Sequence, residues 1–315
     1  MDFSKLIQER STQNRTDAIF KVITIIGAAF ILLIMAAIFL QLLVNSWPSI
    51  QKFGAGFLYT NVWDPVKGIF GAASSIYGTI VSTLIAMIIA VPLSIAIALF
   101  LVELAHPAVS KFFGAAIELL AAIPSIIYGM WGLFVFAPFI SKYIHPALKT
   151  VFGNNIFLEG PPIGIGMFTA GIILAIMILP FISSVIRDVF VMVPAVVKES
   201  SYGMGSTTWE VTKKVTIRYG IQGIIGATFL GLGRAIGETM AVTFVIGNSH
   251  HISPSLFAPA NSITATLANE FAEASEPMYM SSLIELGLVL FLITFIIQVI
   301  SQLWLRKVKK SMGVQ

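Results

Sequence analysis

Arg234 and Glu238, in the stretch Gly-Arg-Ala-Ile-Gly-Glu-Thr over 233–239, are the residues best placed by type and spacing to do chemistry. Both fall inside an apolar run, residues 220–246. At the centre of a membrane helix an ionisable side chain costs about 2.5–3.5 kcal/mol on insertion scales, and such residues line a path or meet a partner. A separation of four places the two on one helical face, close enough to pair. Two readings compete. In one the pair is structural, each charge neutralising the other. In the other Arg234, about half-way along its helix, faces a polar cavity where a guanidinium holds an oxyanion through paired N–H donors. Glu238 then orients the arginine and moderates its charge, so that an anion binds and still leaves. Thr239, next in sequence, is a weaker contributor to such a path. So are Ser125 and Tyr128, beside the proline bend of Ile123-Pro124-Ser125-Ile126-Ile127-Tyr128-Gly129, although a bend alone also accounts for that segment.

Movement of an anion against its gradient needs energy, yet the chain has no G-x-x-x-x-G-K-[ST] loop to hold nucleotide phosphates. G-x-S-x-G and H-E-x-x-H are absent too, which removes the commonest serine and zinc hydrolase readings, and the chain does not read as an enzyme. With no cysteine there is neither a disulfide nor a thiolate site. His250 and His251 are adjacent, not four apart as in a helical metal pair, and are expected to be ordinary loop residues.

The elements that must position these groups are membrane helices. The chain is 57% hydrophobic and 11% charged, against about 25% charged in a soluble domain. Six apolar runs bounded by charge, 22–44, 76–102, 112–140, 163–186, 220–246 and 283–305, suit helices that need about 20 residues to cross a bilayer core. An all-α polytopic membrane protein is expected. The first run is too long for a signal h-region and lacks an Ala-x-Ala-like site, so it is read as retained. Expected organisation is a cytoplasmic segment 1–21, a first crossing 22–44, an outer loop 45–75, a core 76–305 with five crossings and an inner loop 187–219, and a basic tail 306–315. With the amino terminus inside, fourteen lysines and arginines fall on cytoplasmic segments and four on outer ones, which sets both termini in the cytoplasm. The net charge of +4 is thus topological, and no basic stripe with aromatic platforms supports nucleic-acid binding.

The long outer loop carries Trp47, Tyr59 and Trp63, which suit the bilayer interface. In the last outer loop Glu270, Glu273 and Glu276 recur at spacing three, giving one acidic helical face, either solvated or a docking edge for a soluble binding protein. Gly223, Ala227, Gly231, Ala235 and Thr239 form a ridge of small residues, suited to close helix packing within the chain or against a second subunit. In the inner loop Pro194 can start a short helix that Gly203 and Gly205 end.

That loop carries a resemblance. Glu199-Ser200-Ser201, three residues, Gly205, nine residues, then Val215, Ile217 and Arg218 resemble the Glu-Ala-Ala loop of ABC importer permeases, with two serines for alanines and Arg218 for the usual proline. The stretches 231–244, 261–264, 267–271 and 122–132 are similar to the phosphate-specific permease family, and the likeness covers most of the chain beyond its first 70 or so residues. The resemblance implies a type I importer arrangement in the bacterial inner membrane, importing inorganic phosphate by alternating access. It implies as partners a homologous permease (PstA-like), an ATPase dimer (PstB-like) that holds ATP and Mg, and a phosphate-binding protein (PstS-like); the chain itself binds no cofactor. It assigns Glu199, Ser200, Ser201 and Gly205 to ATPase coupling, and Arg234 and Glu238 to transport. A permease for another oxyanion, an ion-gradient transporter and a membrane scaffold are the alternatives.

Overall fold

A computed structural model describes residues 3–153 and 155–311, with side chains over 17–153, 155–308 and at 310. The expected end segments 1–21 and 306–315 therefore lie partly outside the described residues, including the side chains of Lys5, Arg10, Arg15 and Lys309. Described residues form helices and loops, with two isolated β-bridges, Asp64 to Ile69 and Gly247 to Ala260.

Six helical stretches are long and apolar enough to cross a membrane: Asp17–Phe53, Ala73–Leu104, Ser125–Phe152, Met167–Val191, Thr208–Ile236 and Pro277–Val308. We label the principal helices α1 (Phe3–Phe53), α2 (Ala73–Leu99), α3 (Pro107–Ala121), α4 (Ser125–Trp131), α5 (Met167–Val191), α6 (Ala195–Gly203), α7 (Ile217–Ile236), α8 (Met240–Val245), α9 (Ile263–Glu270) and α10 (Pro277–Ser311).

The fourth crossing, α5, is the hub. Ile173, Leu174, Met177, Ile178, Ile182, Ile186 and Phe190 are all buried along it. Lipid tails are as apolar as these side chains, so association depends on close packing and not on exclusion of water. Small residues supply the closeness. A methyl on Gly171 would collide with Ile85 of α2, one on Gly223 with Val189, and one on Gly231 with Ile182. The small-residue ridge of α7 is thus used for packing against α5 within the chain. By contrast α1 exposes Ile19, Phe20, Ile23, Ile26, Phe30 and Leu33, a surface that a bilayer covers. It joins the bundle near its outer end, where Ser49 N–H donates to Ser281 Oγ (3.1 Å) and the Ser49 and Ser282 hydroxyls meet at 3.0 Å.

Two crossings differ from the expected runs. The run 112–140 is not one helix: α3 ends at Ala121, Ala122 caps it, and α4 starts after Pro124, so the third crossing is displaced to Ser125–Phe152. Proline lacks an N–H and disfavours helix in the residue before it, which ends helices at such points. Pro92 and Pro180 nevertheless sit inside continuous α2 and α5. The run 220–246 breaks as well, at residues 237–239 between α7 and α8.

Candidate functional site

The break in the fifth crossing separates the expected Arg234–Glu238 pair. Because α7 stops at Ile236 and Gly237 caps it, Glu238 leaves the face that carries Arg234. Its Oε1 instead accepts from the Ala241 N–H at 3.1 Å, capping α8, while its carbonyl accepts from Thr264 Oγ1 at 2.7 Å. Helix ends inside a membrane leave backbone groups that water cannot satisfy, and these two bonds answer that need. Among the described residues no ion pair joins Arg234 to Glu238. The arginine is exposed on the isolated chain, with its guanidinium carbon 5.5 Å from the centre of the Phe181 ring. A cation over a ring face is held in place without losing its charge. Thr264, absent from the sequence reading of the site although inside one of the stretches that carry the resemblance, is the side chain that secures the break.

The two broken crossings meet. A Cβ on Gly129 of α4 would lie 2.9 Å from the Phe244 ring and 3.0 Å from Cα of Ala241, so glycine sets the approach of α4 to α8. Tyr128 is buried, and its hydroxyl donates to the Leu120 carbonyl at 2.9 Å, spanning the Ala122–Pro124 break. Ser125 is half-buried nearby in the first turn of α4. Thr239, half-buried, borders with Thr264 a cavity of about 570 Å³ whose remaining lining, Leu42, Leu267, Phe271 and Leu283 among it, is mostly apolar. Ser125 and Tyr128 thus lie at the first break and Glu238 and Thr239 at the second, with Thr239 on its apolar side.

On the cytoplasmic side α6 forms where expected, started by Pro194. Glu199 and Ser200 are exposed, and Ser201 Oγ donates to Ser206 Oγ at 3.1 Å. Gly205, at φ +85°, adopts a left-handed conformation that favours glycine, and its N–H donates to the Tyr202 carbonyl at 2.9 Å. Around it Val196, Tyr202, Met204 and Trp209 expose apolar surface, a patch suited to a protein partner.

The outer side holds a cluster not foreseen from sequence. Glu270, expected on an acidic surface face, turns inward because α9 ends at it, so Glu273 and Glu276 do not continue its helix. Its Oε2 accepts from Trp63 Nε1 and from the Tyr279 hydroxyl (2.8 Å), and its Oε1 meets His250 Nε2 at 2.9 Å. Burial raises the carboxyl pKa, but the bonds from His250, Tyr279 and Trp63 outweigh it and the net shift is downward. Trp63 is buried and stacks on His250 with ring centres 5.6 Å apart, so it is not an interfacial anchor; Trp47 and Tyr59 are exposed. His250 is accordingly a packed residue, whereas His251 is exposed. No cluster of three or more His, Cys, Asp or Glu able to hold a metal occurs among the described residues.

Solved membrane components of ABC transporters share this helical fold. The bacterial alginate ABC transporter in complex with its alginate-bound periplasmic protein matches with TM-score 0.58 at 13% identity, over 85% of this chain and 88% of that one. An inward-facing MetNI methionine ABC transporter matches with TM-score 0.51 at 18% identity, over 77% and 95%. No protein-family model matches the chain. Sequence similarity to curated proteins is much higher. The phosphate transport system permease protein PstC of Mesorhizobium japonicum is 52% identical over 302 residues, 95% of this chain and 92% of that one. PstC of Pasteurella multocida is 51% identical over 301 residues, 94% of each. The chain belongs to the PstC family of phosphate transport system permease proteins.

Proposed function

We propose that this chain is the membrane-spanning permease subunit of an ATP-driven ABC importer that carries inorganic phosphate across the bacterial inner membrane. The observation that carries the reading is Arg234, a guanidinium without an ion-pair partner among the described residues at the break of the fifth crossing, in a chain 52% identical to a PstC protein. A guanidinium offers phosphate two parallel N–H donors, and weak hydration makes it suited to an anion shedding water. Glu238 acts by fixing the end of α8 beside it, and Ser125 and Tyr128 border the same breaks. Thr239 is the weakest member of this set.

Partners in this reading are a homologous permease of the PstA kind, a PstB-like ATPase dimer holding ATP and Mg, and a PstS-like phosphate-binding protein. The binding protein delivers phosphate to the outer face, closure of the ATPase dimer displaces α6 through Glu199, Ser200, Ser201 and Gly205, and the crossings switch access. No covalent step occurs in this chain.

The test is uptake of labelled phosphate by the four-component complex in vesicles. With Arg234→Gln, uptake falls at least about 100-fold, the loss of a charge-assisted bidentate contact of about 3 kcal/mol, while the complex stays assembled. Normal uptake overturns the role of Arg234. Phosphate transport by this chain alone, driven by an ion gradient, overturns the importer reading.

A further inference from the structure

Glu103 has no role in the reading above, and it is one of the most buried charged side chains of the chain, 6% exposed. It lies at the cytoplasmic end of the second crossing, in the widened π turn Phe100–Leu104 that follows α2. Its Oε1 accepts from Lys198 Nζ at 2.7 Å and from Thr216 Oγ1 at 2.7 Å. Lys198 belongs to α6. Thr216, fully buried, closes a second π turn, Thr212–Thr216, which leads straight into α7. One carboxylate oxygen therefore joins the second crossing, the cytoplasmic helix and the start of the helix that ends beside Arg234. Turns of this wide kind recur at functional sites in helices.

What makes the junction more than an ordinary ion pair is how little else holds α6. No residue of that helix is buried. Its Val196, Val197 and Tyr202 are exposed, so apolar packing does not seat it. Among the described residues Lys198 to Glu103 is the one side-chain hydrogen bond or ion pair from α6 to a crossing. Adjacent residues on a helix point about 100° apart, which lets Lys198 reach inward while Glu199 stays exposed. A cavity of about 260 Å³ lined by Leu99, Phe100, Glu103, Trp209 and Thr212 opens beside the Glu103 side of the junction.

We propose that Glu103 is the positioning residue through which displacement of α6 is transmitted to the second and fifth crossings, with Lys198 as the lever and Thr216 as the link to α7. The proposal rests on the reading of α6 as the ATPase contact. A charged, doubly donated oxygen is stiff and directional, whereas sliding apolar contacts would dissipate a small displacement. Glu103 is too buried to touch an ATPase, so its effect must pass through Lys198.

The test uses the full complex in vesicles with the binding protein present, and reads phosphate moved per ATP hydrolysed. Glu103→Gln and Lys198→Met are expected to hydrolyse ATP within about two-fold of the unaltered complex and to move about ten-fold less phosphate per ATP, the size of a typical coupling energy. Thr216→Val, which removes one donor and no charge, gives an intermediate ratio. Lys198→Arg, which still reaches Glu103 with a cation, restores most of it. A merely structural role would lower the amount of assembled complex and leave the ratio unchanged. An unchanged ratio in Glu103→Gln, or loss in Lys198→Met that Lys198→Arg does not rescue, overturns the proposal. If Glu103→Gln does not assemble, the proposal stands or falls on the ratios of Thr216→Val and the Lys198 pair. Failure of the importer reading is seen separately, as an unaltered complex that hydrolyses ATP without moving phosphate.

Discussion

Two carboxylates, Glu103 buried on the inside and Glu270 half-buried on the outside, each collect donors from distant segments, and the settings differ. Glu270 sits in a packed aromatic cluster, where Trp63 edges onto Phe70 and Phe70 stacks on Tyr279. Remove its charge and the surrounding rings still hold the outer loops to α10. Glu103 ties down a helix that has no buried residue. The same chemical device therefore reinforces a rigid cap at one face and forms a single hinge at the other. Energy enters a transporter through elements held by few contacts, because such elements move without unpacking a core.

Four perturbations break or sharpen that contrast. Glu270→Ala should have the largest effect on stability, about 1–3 kcal/mol, because it leaves the Trp63 and Tyr279 donors and the His250 ring without their shared acceptor. It should leave phosphate per ATP unaltered, read by chemical unfolding in detergent and by coupled transport; a changed ratio would put the cap in the transmission path. Gly205→Val should do the reverse. Its strain in the left-handed region is about 1–2 kcal/mol, and its main effect should be ATP hydrolysis uncoupled from uptake.

Acid sharpens the comparison further. The folded Glu270 carboxyl has a lowered pKa, so its contribution to stability is present above the unfolded value, about 4.3, and is lost as pH falls through the lower folded value. Amide exchange over 247–276 should accelerate in that acidic window, and Glu270→Gln should flatten the response. Smallest is Asp64→Asn. The Lys67 backbone N–H, then the Lys67 ammonium and last the Val66 N–H lower the Asp64 pKa against a smaller effect of burial, in a surface turn where Lys67 is solvated, and the substitution should change neither melting temperature nor transport measurably.

Much of the molecule is legible in its residues. The six crossings follow from apolar length, because a bilayer forces continuous hydrogen bonding and a greasy surface whatever the neighbours do. The short helix α6, its proline start and its glycine end are equally local. The breaks are less so. Pro92, Pro124 and Pro180 all lie in apolar runs, yet only Pro124 parts two helices. What marks it is tertiary: the Tyr128 hydroxyl takes up the Leu120 carbonyl and Gly129 seats α4 on α8. The Arg234–Glu238 spacing misled for the same reason, since Thr264, 26 residues on from Glu238, stabilises a break that local periodicity does not contain.

By itself, then, the sequence determined the environment, the number of crossings and the exposed cytoplasmic helix. Those depend on composition and short-range spacing. Arg234, expected half-way along its helix, falls instead in the last turn of α7. Tertiary structure alone decided which charges are paired: Arg234 and Glu238 are not, while Glu103 finds Lys198 at 95 residues and Thr216 at 113, and Glu270 finds Trp63 at 207. A buried carboxylate needs donors from whatever packs against it, and chain proximity does not say what that will be.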